Sequence, residues 1–272
     1  MQRLTAPAKL TLSLRITGVR DDGYHLLEAE MTSIDLADVL DFDTGSGLEL
    51  VDEVVGGTGL GDLDDGPANL VGRALAAVGR EAAVRLVKRI PLGAGLGGGS
   101  SDAAAVLRWA GETDPAVAAG LGADVPFCVV GGRARVGGIG DEVVPVPFVA
   151  ERFLLLVPPV AVDTAAAYRA WDDGRRPAAG DDGGNDLEQA ALAVAAGLGA
   201  WREAFGAATG ARPRLAGSGS AWFVGDPEGN LARRVGAELR VGGARAPVVP
   251  VTTVPAPDAT IPPEGAGSSV ER

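Results

Sequence analysis

At 272 residues with 46% apolar side chains, the chain is long enough for one large or two modest domains with a proper core, and no apolar run reaches the roughly 18 residues of a membrane span. A net charge of −12 argues against a broad nucleic-acid surface, which needs basic side chains. One cysteine, Cys128, excludes an internal disulfide and suits a reducing compartment; with no apolar leader after Met1, a soluble cytoplasmic protein is expected, as monomer or homodimer.

Residues 6–16 alternate strictly after Pro7. Leu10, Leu12, Leu14 and Ile16 share one face and Lys9, Thr11, Ser13 and Arg15 the other, as in a strand with one apolar side. The polar row either lines a site or faces water. Only Lys9 and Lys88 are lysines among 24 basic residues, which hints that Lys9 is kept for its ammonium; a retained surface lysine is the alternative. A turn at Asp21-Asp22-Gly23-Tyr24-His25 leads to a second strand over 27–35, with further short strands expected over 36–42 and 47–51. Residues 52–67 read as an exposed loop, 69–78 as a helix and 83–90 as a half-buried strand.

The stretch that follows, Pro91 to Leu107, is the most informative in the chain. Gly93, Gly95, Gly97, Gly98 and Gly99 run into Ser100, Ser101 and Asp102 and then an alanine-rich helical pattern. Glycine lets the backbone approach a ligand closely, and a helix start at 100–102 offers unpaired N–H groups and the positive end of the dipole. Strand, glycine cradle and helix together favour a bound phosphate. A plain flexible turn is the alternative. No Gly-Lys-Ser/Thr ending marks a Walker A loop, and some 90 residues precede the motif, unlike a dinucleotide fingerprint.

The helix from Ser101 is expected to end near Gly111, with a short helix over 115–121, Asp124 just past its end before another apolar segment, and strands over 133–136 and 142–147. A boundary falls near 145–151. Beyond it come a strand (153–157), a helix (164–171), a polar loop (172–185), a long helix (186–198) that Asn185 caps, a helix (201–209), strand arms (214–216, 221–224) flanking Gly217-Ser218-Gly219-Ser220, a helix (231–239) and a strand (246–253). The mixture predicts an α+β fold. The expected division is 1–148, 149–254 and a disordered proline- and glycine-rich tail over 255–272.

Four separated elements fit together: Pro7-Ala8-Lys9-Leu10-Thr11-Leu12, Gly23-Tyr24-His25, the glycine cradle, and Gly122-Ala123-Asp124-Val125-Pro126-Phe127. With the weaker Asn185-Asp186-Leu187-Glu188 and the Gly217–Ser220 loop, they closely resemble the GHMP kinases, over about residues 5–253. The resemblance implies a two-domain architecture: an N-terminal α/β domain carrying the phosphate loop and a C-terminal ferredoxin-like α+β domain. It implies ATP and Mg²⁺, and transfer of the γ-phosphate to an alcohol. The Gly-Tyr-His and Asp-Val-Pro elements resemble those of members that phosphorylate the 2-hydroxyl of a cytidine-diphosphate-bearing sugar alcohol in isoprenoid precursor synthesis.

On that resemblance Asp124 takes or orients the hydroxyl proton and Lys9 stabilises the charge beside it; a buried structural ion pair is the alternative. Pro91, Gly93, Gly95, Leu96, Gly97, Gly98, Gly99, Ser100 and Ser101 are implied to hold ATP, with Ser100 or Ser101 touching the metal. Tyr24 and Tyr168 are implied to sandwich the cytosine while His25 reads its edge, and Thr11, Gly217 and Ser218 to contact substrate. Packing at a strand edge and an ordinary hairpin turn remain the alternatives for these residues. Thr11 stands where the family has asparagine, 105–122 looks short, and Gly137-Gly138 replaces a basic residue. Two further functions stay open: another small-molecule kinase, of homoserine or mevalonate type, and a nucleotide-binding relative without turnover.

Overall fold

The structure, a computed structural model, describes residues 1–57, 59, 61, 63–66, 68–177 and 184–257. Parts of the loops expected over 52–67 and 172–185, and the tail from 258 on, lie outside the described residues. No described helix is long and apolar enough to cross a membrane.

The chain opens with a long antiparallel hairpin of β1 (Gln2–Val19) and β2 (His25–Asp43). The two strands expected over 27–35 and 36–42 are thus one. The acids at Asp35 and Asp38 suggest a break, but each is hydrogen-bonded: Asp35 accepts from the Thr252 amide, and Asp38 accepts from Lys88. The alternation in β1 holds, yet the first half of its polar row does not face water: Lys9 and Thr11 are buried along with Leu10 and Leu12, whereas Ser13 is half-buried and Arg15 exposed. The register shifts between Pro7 and Lys9. Before the shift Ala6 packs in one core; after it Ala8, Leu10 and Leu12 pack in another.

The first sheet adds β3 (Gly47–Asp52), parallel to β4 (Ala83–Lys88), and then β5 (Arg133–Gly137) and β6 (Glu142–Pro145), in the order β3-β4-β2-β5-β6 with β1 on β2. Four helices accompany it: α1 (Leu70–Ala77), capped by the Asn69 side chain, α2 (Gly98–Ala110), α3 (Pro115–Leu121) and α4 (Val125–Val130). Their core joins Leu40, Phe42, Val84 and Leu86 of the sheet to the fully buried Ala103-Ala104-Ala105-Val106 of α2. The small alanine side chains let the helix lie close on the sheet, and close packing of this kind is where apolar burial contributes most.

The second unit comprises β7 (Arg152–Leu156), α5 (Thr164–Asp172), α6 (Glu188–Val194), α7 (Leu198–Thr209), β8 (Arg214–Leu215), β9 (Trp222–Gly225), α8 (Leu231–Val235), β10 (Glu238–Val241) and β11 (Ala244–Thr252). The strand order β11-β7-β9-β8, with β10 on the outer edge, is that of a ferredoxin-like unit, antiparallel throughout. The long helix expected over 186–198 ends at Val194, and a new one starts after the left-handed Gly197. The helix expected over 231–239 stops before Gly236, and Glu238–Val241 pairs with β11 instead. A shared core joins the units: Leu10, Ile34, Ile90 and Leu96 pack with Phe153, Leu155, Ala216 and Phe223.

Candidate active site

The glycine cradle follows β4 as expected, but its helix begins three residues early. Gly97 takes the left-handed N-cap position of α2, and Gly98, Gly99 and Ser100 form the first turn, with no side-chain cap. The amides of that turn have no partner within the helix, as any helix start leaves them. Glycine is required at Gly97 for a second reason: a Cβ there would stand 2.7 Å from the Lys9 Cγ. The loop of residues 217–220 closes in from the second unit, where a Cβ on Gly217 would lie 2.9 Å from the Lys9 Nζ.

Lys9 is therefore enclosed between the cradle and this loop. Its backbone amide donates to the Leu96 carbonyl at 3.0 Å. Its ammonium donates to the Thr11 Oγ1 at 3.1 Å and lies 3.4 Å from the Asp124 Oδ2. Asp124 caps α4 through its backbone position without a side-chain cap bond, so its carboxylate turns to the cavity, where it is 34% exposed against 5% for Lys9. Nearby, burial pushes the Cys128 thiol up to about 12, with the charge of Asp124 adding to the effect, so this cysteine is no nucleophile at neutral pH.

A cavity of about 770 Å³ spans the two units, the size range of small-molecule sites. Lys9, Thr11, Tyr24, His25, Gly93, Gly95, Ser100, Asp124, Tyr168, Gly217 and Ser218 all line it. Pro91 and Leu96 are buried, Leu96 in the core between the units. The two serines separate: Ser100 lines the cavity, whereas the Ser101 hydroxyl donates to the Pro7 carbonyl at 2.5 Å and is buried. The Ser101 hydroxyl thus tethers α2 to β1. Gly137 and Gly138 lie outside this cavity; the Gly138 carbonyl accepts from the Leu27 amide.

Tyr24 is 60% exposed at the cavity's edge, while Tyr168 is half-buried. Burial, with the charge of Asp124, pushes the Tyr168 phenol up to about 12, so it stays protonated. Asn185 is not the cap of α6, whose N-cap is Leu187. Its side-chain amide donates to the Leu215 and Gly217 carbonyls at 2.9 and 2.7 Å, and its oxygen accepts from the Leu187 amide. It holds the loop at 217–220 in place, as does the 2.8 Å contact between the Thr164 and Ser218 hydroxyls.

Beneath the cradle lies a charged cluster with no signal in the sequence. The Lys88 ammonium, 1% exposed, donates to Asp38 and, at 2.6 Å, to Asp102 of α2. Asp38 also accepts from the Arg89 and Ile90 amides at 2.5 and 2.9 Å. Burial pulls the Lys88 ammonium down, but Asp102 and Asp38 outweigh it and hold it above the usual lysine value. Burial, with the neighbouring Asp38 charge, pushes the Asp102 carboxyl from 3.8 up to about 7 against the pull of Lys88. Between those values the unfolded chain has already lost this proton and the folded chain has not, so stability falls as pH rises through the window and levels above it. Asp102→Asn removes this ionisation. Its melting temperature relative to the parent protein should therefore improve between about pH 5 and about pH 8; an offset equal at both would contradict the shift.

Phosphoryl transfer asks a protein for positioning and charge stabilisation more than for covalent chemistry. A cleft with open helix amides on one wall and an ammonium–carboxylate pair beside them meets that demand. The model for the GHMP kinases N terminal domain matches residues 69–132, which contain the cradle. The 4-diphosphocytidyl-2-C-methyl-D-erythritol kinase of Paracoccus denitrificans (strain Pd 1222) is 36% identical over 240 residues, covering 82% of this chain and 86% of that protein. The enzyme of the same name from Paramagnetospirillum magneticum (strain ATCC 700264 / AMB-1) is 35% identical over 268 residues, covering 87% and 93%. A crystal structure of 4-(cytidine 5'-diphospho)-2C-methyl-D-erythritol kinase superposes with a TM-score of 0.69 at 31% identity, covering 93% of this chain and 99% of that one. A mevalonate kinase structure shares the fold, with a TM-score of 0.56 at 14% identity and coverage of 93% and 99%. The chain belongs to the GHMP kinase family, in the group of these 4-diphosphocytidyl-2-C-methyl-D-erythritol kinases.

Proposed function

We propose that the protein transfers the γ-phosphate of ATP to the 2-hydroxyl of 4-diphosphocytidyl-2-C-methyl-D-erythritol, a step in isoprenoid precursor synthesis. The observation that carries this reading is the Lys9–Asp124 pair, 3.4 Å apart, in one cavity with the cradle and with Tyr24, His25 and Tyr168. The triphosphate lies along residues 91–101, on the backbone of Gly93, Gly95 and the first turn of α2. The substrate hydroxyl points at Asp124, which takes or aligns its proton, while Lys9 stabilises the oxygen as it attacks. The cytidylyl end reaches Tyr24, His25 and Tyr168, and Thr11, Gly217 and Ser218 contact the polyol.

Among the described residues no three His, Cys, Asp or Glu side chains form a metal-holding group. Mg²⁺ in kinase sites characteristically rests on substrate phosphates with few protein ligands, and Ser100 is the hydroxyl on the cavity suited to it. Bound there, the ion would neutralise charge on the phosphates. We read residues 1–148 and 149–254 as the nucleotide-side and substrate-side domains of a cytoplasmic enzyme, monomeric or dimeric, without a nucleic-acid partner.

Coupled measurement of ADP release with the cytidylyl substrate, homoserine and mevalonate tests the assignment; turnover confined to either of the last two would overturn it. Tyr24→Ala should raise KM for the cytidylyl substrate by about 5- to 150-fold with little change in kcat, since base stacking contributes about 1–3 kcal/mol. An unchanged KM would remove Tyr24 from the base site.

A further inference from the structure

His25 is the chain's only histidine, and α5 holds its ring from several sides. Its Nε2 lies 2.8 Å from the Asp172 Oδ1. The Tyr168 ring sits 4.7 Å away, tilted by 35°, and the Trp171 ring meets it edge-on at 5.7 Å. The tip of the β1–β2 hairpin is thus clasped by a helix of the second unit, leaving the His25 side chain 11% exposed.

The polarity of this contact is fixed by chemistry. An ionised carboxylate only accepts hydrogen bonds, so the proton between the two groups belongs to Nε2. A neutral imidazole has one donor and one acceptor nitrogen, which leaves Nδ1 as a bare acceptor. Nδ1 has no hydrogen-bond partner among the described residues, and His25 lines the cavity.

We infer that Asp172 is a positioning residue that locks His25 with its Nε2 proton on the carboxylate, so that Nδ1 selects a pyrimidine bearing an exocyclic amine over one bearing a carbonyl there. The inference rests on the base-site reading proposed above. Cytosine donates from its 4-amino group, whereas a 4-carbonyl, as in uracil, only accepts. An acceptor nitrogen held at that edge pairs with the first and repels the second. Without Asp172 the ring is free to turn and to move its proton to Nδ1, which would then donate to a carbonyl. A clasp serving only stability would leave this discrimination untouched.

The experiment compares the parent protein with Asp172→Ala and Asp172→Asn. Because there is one histidine, the ¹⁵N spectrum of the imidazole reports its tautomer without assignment and without substrate. The parent protein should show the Nε2–H form and Asp172→Ala a mixture. With the cytidylyl substrate and its uridylyl counterpart, Asp172→Ala should lose about tenfold in discrimination through KM, with kcat and KM for ATP nearly unchanged, the effect of one lost hydrogen bond. Asp172→Asn, which retains an acceptor oxygen, should keep more of the discrimination. An Nδ1–H ring in the parent protein, or unaltered discrimination in Asp172→Ala, overturns the inference alone. A parent protein that ignores the cytidylyl substrate overturns the functional reading and this inference with it.

Discussion

Asp124→Ala is expected to lower kcat by about 10²–10⁴-fold, the range over which a positioned general base contributes, while affinity for ATP changes little. The split follows from where the carboxylate sits. Asp124 caps α4, and its nearest charged partner is the Lys9 ammonium at 3.4 Å. It offers no donor to a triphosphate, and its charge opposes one. Removing it therefore costs the substrate hydroxyl its partner and leaves the helix amides of Gly98, Gly99 and Ser100 as they were. Lys9 should remain placed, since Thr11 at 3.1 Å and the main-chain bond to Leu96 still hold it. Single-turnover phosphoryl transfer and equilibrium ATP binding, measured on the same preparation, separate the two effects. Parent-like turnover would show that Asp124 neither takes nor aligns the proton; lost ATP binding would make the pair a structural one.

Much of this site is legible in the sequence because the residues that carry it are scarce. One histidine, two tyrosines and two lysines leave few choices for base recognition and for an ammonium, and the glycine run has few readings. What periodicity cannot supply is the other side of each contact. The alternation in β1 tells which residues share a face, not that a second sheet and a glycine loop cover both faces, so it leaves open whether Lys9 lines a site or faces water, and the fold buries it. The α2 start is read late because glycine and serine have poor intrinsic helix propensity; the first turn is held instead by the left-handed Gly97 and by Ser101 on the Pro7 carbonyl. Asp172 carries no local signal, and Asn185 reads locally as a helix cap rather than as the support of a distant loop. Their partners are 147 and up to 32 residues away: His25 meets Asp172 only where the two units pack, and Asn185 meets the 217–220 loop only when the second unit folds.

Lys88→Met should be the most destabilising single change proposed for this chain, by about 3–5 kcal/mol, the usual result of stripping one partner from a buried ion pair. The lysine's length is nearly conserved, so little cavity is made; what changes is charge. Asp38 and Asp102, both almost fully buried, would face each other without the ammonium. Asp38 keeps the Arg89 and Ile90 amides as donors, but Asp102 has its second oxygen without a hydrogen-bond partner and nothing to replace Lys88. Burial already raises the Asp102 carboxyl, and without Lys88 nothing draws it back down, so the loss should be larger near pH 8 than near pH 5. Adding Asp102→Asn removes one of the opposed charges and should recover part of the stability. Urea midpoints of the three variants at both pH values decide the matter: a loss below about 1 kcal/mol, the level of a surface pair, would mean that the cluster beneath the cradle is solvated and does not brace α2 against β4.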